Sequence, residues 1–171
     1  DHSAAQRPGT TVMDYAAMDA AMEASIKLFP AKTIGRGNQT LAPKVLVDGT
    51  KEFALTAAIS DWEVSPGKVV KAWTYNGQVP GPEIRVDVGD KVRVVLTNHL
   101  PMGTDVHFHG FDMPFAMDGV SPITQDLVKV NGTFTYEFTA TKPAVGMYHA
   151  HHHGQTQVPN GLFGAFYVGD M

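Results

Sequence analysis

Two hydrophobic periods divide the chain. Tyr15, Met18, Met22, Ile26 and Phe29 recur at steps of three and four, the period of an amphipathic helix. Thr10 or Thr11 can cap such a helix and Pro30 stops it, so the pattern predicts a helix over about residues 11–29. The segment from Ala31 to Pro43 carries Gly35 and Gly37 and little periodic order, and reads as a linker that wraps the domain after it. From Phe53 the period becomes two: Phe53, Leu55, Ala57 and Ile59, then Ile84, Val86 and Val88, then Val92, Val94 and Leu96. These are strands with one buried face, separated by turn chemistry at Tyr75-Asn76-Gly77, Val79-Pro80-Gly81-Pro82 and Val88-Gly89-Asp90. Further strands are predicted at 105–109, 134–138, 146–151 and 162–168.

The chain is thereby divided into an N-terminal arm of helix and linker, residues 1–45, and a β domain, residues 46–171. Short strands at this spacing, with no helices between them, predict an all-β Greek-key sandwich or barrel. A length of 171 residues suits one domain of ordinary size with an appended arm, and 17 glycines with 11 prolines favour turns over long helices. The formal net charge of −4 provides no basic footprint for a phosphate backbone, so nucleic acid is not an expected partner. No run approaches the roughly 18 consecutive apolar residues of a membrane span, and none is expected. The first residues also lack the basic and apolar regions of a signal peptide.

Candidate chemistry changes this picture most. Cysteine is absent, which excludes disulfides, thiolate metal ligation and thiol nucleophiles. Six of the eight histidines fall in two short windows. On a strand, side chains at i and i+2 share a face, so His107 and His109 in Asp-Val-His-Phe-His-Gly project together while Val106 and Phe108 face the core. The same holds for His149 and His151 in Tyr-His-Ala-His. If those strands approach each other, four imidazoles converge on a metal site of nitrogen donors. Such a set suits copper or zinc, and the affinity order of nitrogen sites favours copper.

Other candidates carry less. His152 and His153 leave the shared face or the strand end and are expected to be solvated or to support the ligands, and His2 and His99 are given no metal role. Met113, Met117 and Met147 sit near the histidines; thioethers suit the cuprous ion, but core filling is the expected role. Asn38-Gln-Thr40 and Asn131-Gly-Thr133 match the glycosylation pattern, a weak signal on its own.

With these motifs in order, the chain over roughly residues 50–171 resembles the first domain of the multicopper oxidases, the laccase-like enzymes and their two-domain relatives. The matching pieces are Tyr-Asn-Gly-Gln-Val-Pro-Gly-Pro-Glu-Ile at 75–84, Val-Gly-Asp-Lys-Val-Arg-Val at 88–94 and His-Phe-His-Gly at 107–110. Met-Asp-Gly-Val at 117–120, Gly-Met-Tyr-His-Ala-His at 146–151 and Gly-Leu-Phe-Gly-Ala at 161–165 follow. The resemblance implies a cupredoxin-like fold and copper as cofactor. In that family, electrons enter at a type 1 copper held by Cys and His and pass to a trinuclear cluster where dioxygen is reduced to water. It further implies His107 at a type 2 copper and His109, His149 and His151 at a type 3 pair. Asp118 matches an acidic position that orients water and relays protons, a solvated turn aspartate being the alternative reading.

The chain departs from the family pattern in having no Cys, hence no type 1 copper, and in ending at Met171 directly after the predicted last strand. The expectation is therefore half of a copper cluster, completed by a complementary cupredoxin domain or a neighbouring subunit. A homo-oligomer is expected, with a trimer favoured because two-domain relatives form one. Dioxygen is the expected oxidant, and the resemblance alone implies an extracytoplasmic location, periplasmic or secreted. The chain in isolation is expected to be inactive or weakly active. The alternatives are a copper nitrite reductase-like component and a non-catalytic copper-binding or storage module. Against the reductase, Ala150 stands where its type 1 Cys would follow the strand His. A further alternative is an interaction domain in which metal only supports folding.

Overall fold

A computed structural model describes residues 13–28 and 32–170. The chain divides into two units, residues 1–32 and residues 33–171. In the first, α1 (Tyr15–Ile26) begins after Asp14, whose carboxylate accepts the Ala17 N–H at 2.9 Å and so satisfies an orphan donor of the first turn. Its apolar residues keep the predicted spacing, but none of its side chains is buried. The helix is shorter than the predicted 11–29; the predicted cap at Thr10 or Thr11 and stop at Pro30 lie outside the described residues.

The second unit starts earlier than residue 46, because the segment read as a linker is hydrogen-bonded into the β domain. Asn38 N–H donates to the Pro80 carbonyl at 3.0 Å and Leu41 N–H to the Glu83 carbonyl at 2.8 Å. Gly37 permits this approach, since a Cβ there would collide with the backbone of Val79. The Glu83 carboxylate, held below the usual carboxylate range chiefly by Arg85, accepts from Asn38 Nδ2 at 3.1 Å and from the Thr40 hydroxyl.

The described residues of this unit form nine strands: β1 (Lys44–Val45), β2 (Lys51–Ser65), β3 (Lys68–Tyr75), β4 (Gly81–Val86), β5 (Lys91–Asn98), β6 (His107–His109), β7 (Thr133–Thr139), β8 (Ala144–His149) and β9 (Phe163–Val168). One sheet has the order β1-β2-β5-β7 with β3 also paired to β2, and the other has the order β4-β9-β8-β6. β2–β5 and β4–β9 are parallel and the other pairs antiparallel. This is the predicted all-β Greek-key architecture. β3 was not foreseen: Val69, Val70, Ala72 and Trp73 do not alternate with burial cleanly enough to read as a strand.

Register turns the period-two pattern into a core. Phe53 and Leu55 lie opposite Val94 and Leu96, which in turn face Tyr136 and Phe134 on β7. In the other sheet Phe108 lies opposite Tyr148, and Ile84 opposite Phe166. Phe108 joins the layers: its ring centroid is 5.3 Å from that of Tyr136, 5.2 Å from Phe138 and 6.0 Å from Phe166. The strand that carries the first histidine pair is thus fixed from behind by the aromatic core.

Candidate metal centre

β6 and β8 are antiparallel neighbours, with His107 opposite His149, Phe108 opposite Tyr148 and His109 opposite Met147. Phe108 and Tyr148 are buried at 1% and 0% exposure, so the alternate residues His107, His109 and His149 must turn to the other face. Tyr148 is held inward by donating its hydroxyl proton to the Pro82 carbonyl at 2.6 Å, and Gly164 opposite it leaves room for the ring. Nitrogen atoms of His107, His109 and His149 all lie within 4.8 Å of one another. The fourth predicted histidine, His151, lies beyond the end of β8, with its ring centroid 5.5 Å from that of His107 and 6.4 Å from that of His149. The sequence-predicted set therefore assembles as a compact trio with His151 at its side.

Local hydrogen bonds select the tautomers. His107 Nδ1 lies 2.7 Å from the Asp118 carbonyl oxygen and His149 Nδ1 lies 3.0 Å from that of Ala150. A carbonyl only accepts, so each Nδ1 carries the proton and each Nε2 keeps its lone pair for a ligand. Burial lowers the pKa of His149 from the ordinary histidine value, and His107, His109 and His151 add in the same direction, while the Ala150 contact opposes them. Neutral imidazole is the form that coordinates metal. His109 and His151 are exposed, so the nitrogen face opens outward.

Asp118 follows a short 3-10 helix, Phe115–Met117, and its carboxylate Oδ1 lies 3.5 Å from His107 Nδ1. Gly119 is required at the next position: its φ is +79° and a Cβ would collide with the Val106 carbonyl. The loop is thereby pressed onto the start of β6. β6 begins two residues after the start of the predicted 105–109, and β8 ends two residues before the end of the predicted 146–151, because side chains take over the hydrogen bonds at those ends. Val106 N–H donates to the Tyr136 hydroxyl at 2.8 Å, and His151 N–H to Asp105 Oδ1 at 2.7 Å.

Asp105 is the residue that sequence reasoning missed. Its side chain is fully buried and also accepts from His152 N–H at 2.9 Å and Ser121 N–H at 3.0 Å. The available signal was an acidic residue two positions before a His-x-His strand. His152 and His153 lie outside the trio, with ring centroids 4.2 Å apart, and His99 meets Asn131 at 3.1 Å; His2 lies outside the described residues. Met113 and Met117 pack against the core, whereas Met147 shares the face of His149.

Imidazole donors with no thiolate fit copper in either oxidation state, and several neutral donors close together add no charge to the ion. Among the described residues no helix is long and apolar enough to cross a membrane. The sequence model of the multicopper oxidase family matches residues 57–171. Laccase-1 of Emericella nidulans is 42% identical over 96 residues, which cover 54% of this chain and 15% of that protein. Multicopper oxidase MmcO of Mycobacterium tuberculosis is 41% identical over 97 residues, covering 57% of this chain and 19% of that one. The crystal structure of a multicopper oxidase from Pseudomonas thermotolerans superposes with a TM-score of 0.68 at 38% identity, over 70% of this chain and 29% of the other. The chain thus spans less than a third of these relatives.

Proposed function

Because the chain belongs to the multicopper oxidase family, for which copper is the cofactor, we propose that His107, His109, His149 and His151 form half of a type 2/type 3 copper cluster for dioxygen reduction. His107 serves the type 2 copper and the other three the type 3 pair. A complementary cupredoxin domain or a neighbouring subunit, a trimer being the favoured assembly, contributes the remaining ligands. The observation that carries this reading is the β6–β8 register, which brings nitrogens of three histidines within 4.8 Å of one another. Bound copper supplies one-electron redox chemistry between a reducing substrate and dioxygen.

The residues of this chain hold and orient. The Asp118 and Ala150 carbonyls fix the His107 and His149 tautomers so that Nε2 points away from the backbone contact. The Asp118 carboxylate, about one-third exposed and 3.5 Å from His107 Nδ1, is the group placed to relay a proton beside that ring. Phe108 and Tyr148 close the inner side against water. The outward exposure of His109 and His151 supports completion from another domain. We place the protein outside the cytoplasm, in the periplasm or secreted. The absence of cysteine supports a second reading, copper storage without turnover, because no thiolate is available in this chain to receive electrons.

Titrating the chain with cupric ion tests the ligand assignment. Nitrogen hyperfine structure in the paramagnetic resonance spectrum is expected, and it should disappear together with the bound copper in His107→Ala and His149→Ala. Full copper retention in both variants overturns the assignment. Oxygen consumption regained on adding a complementary cupredoxin domain separates the oxidase from the storage reading.

A further inference from the structure

The position of His151 requires an explanation that the sheet does not supply. β8 ends at His149, Ala150 N–H donates to the Leu162 carbonyl at 3.2 Å, and from His151 onward no strand ladder directs the backbone. The next two N–H groups converge instead on one carboxylate oxygen, Asp105 Oδ1, at 2.7 Å and 2.9 Å. The other oxygen, Oδ2, accepts Ser121 N–H at 3.0 Å. Ser121 closes the loop that begins at Asp118, whose carbonyl orients His107. One buried carboxylate, two residues before the first histidine pair, therefore fastens both segments that flank the metal-binding face.

Resting on the reading of the four histidines as copper ligands, we propose that Asp105 is a positioning residue that sets His151 and the Asp118 loop relative to the His107–His109–His149 trio. A fully buried carboxylate is costly to desolvate, and three short charge-assisted hydrogen bonds from backbone N–H groups offset that cost only while both loops stay in place. The hydrogen bonds act on the backbone, where they fix the origin of the His151 side chain without touching its imidazole. No other described contact places the His151 N–H.

Asp105→Asn tests the role, since it preserves shape while replacing one acceptor with a donor. In the metal-free chain, hydrogen exchange at the His151 and His152 amides is expected to quicken by at least about tenfold, with Tyr148 and the β2–β5 ladder unchanged. Cupric affinity, measured by competition with a chromophoric chelator, is expected to fall by about tenfold or more. In a His151→Ala background the same substitution should cost no further affinity, because the ligand it positions is gone.

An equal loss of affinity in both backgrounds, or unchanged exchange at His151, overturns the proposal. If Asp105→Asn fails to fold, Asp105→Ser is measured in the same way. Failure of both to fold assigns the carboxylate to the fold as a whole and overturns the positioning role. A wild-type chain that takes up no copper defeats the functional reading instead, and amide exchange then decides separately whether Asp105 places His151.

Discussion

The Nδ1 atom of His107 lies 2.7 Å from the carbonyl oxygen of Asp118, while the carboxylate of the same residue stands 3.5 Å away. Asp118 therefore meets His107 twice, with different consequences. Its carbonyl sets the tautomer, which any residue at this position supplies, whereas only its carboxylate holds a proton. Asp118→Asn is accordingly expected to leave copper content unchanged and to lower oxygen turnover of the completed enzyme by about 100-fold or more. Copper analysis beside a pH–rate profile checks the separation, and loss of copper from the variant counts against it.

Gly119 predicts the reverse pattern. Its positive φ and the Val106 carbonyl beside it leave no room for a methyl group. Gly119→Ala displaces the loop and with it the carbonyl that orients His107. Copper affinity should fall by about tenfold, and the Asp118→Asn change should then add little.

The pH response follows from His149. Burial, reinforced by three neighbouring histidines, places its folded pKa below the ordinary value of 6.5. The unfolded chain thus takes up the proton first as pH falls. The contribution to stability is fully present above about 6.5 and is lost as pH drops from there towards the folded value. In the metal-free chain the urea midpoint should decline over this window, and the decline should flatten in His149→Gln. Copper uptake should weaken below about pH 6 for the same reason; copper content unchanged at pH 4 excludes histidine ligation.

Absence of cysteine makes a spectroscopic prediction. Copper-thiolate charge transfer has no donor here, so the copper-loaded chain should lack an intense blue absorption band while still showing nitrogen ligation. An intense blue band from the copper-loaded chain would contradict the all-nitrogen site.

Phe108 tests whether the core positions the site. Replacing its ring, which contacts Tyr136, Phe138 and Phe166, with a methyl group opens a cavity between the sheets. Phe108→Ala is expected to cost about 3–5 kcal/mol in denaturant unfolding. A conservative Phe108→Leu should retain most stability and copper binding.

Much of this molecule was legible along the chain, and the reason is periodicity. Alternation in Phe53-Ala54-Leu55 and in Val92-Arg93-Val94 reports which face is buried wherever one side of a strand meets solvent. The same rule put His107 and His109 on one face before any partner strand was known. Where burial loses its period, as in Lys68–Tyr75, the strand was invisible. The boundary expected after residue 45 falls at residue 33 for a related reason: the Asn38 and Leu41 N–H bonds to the Pro80 and Glu83 carbonyls are made by backbone, which carries no side-chain pattern.

The sequence by itself determined the all-β class, the nitrogen-only donor set and the two histidine pairs, because these depend on composition and on spacing of two along a strand. Only the tertiary structure decided that β6 and β8 are neighbours, that three histidines close into a trio while His151 stands beside it, and that Asp105 holds the loops around them. Those are pairings between segments distant along the chain: 16 positions separate Asp105 from Ser121 and 46 separate it from His151. Local pattern constrains which face a side chain takes; it does not specify which distant segment that face will meet.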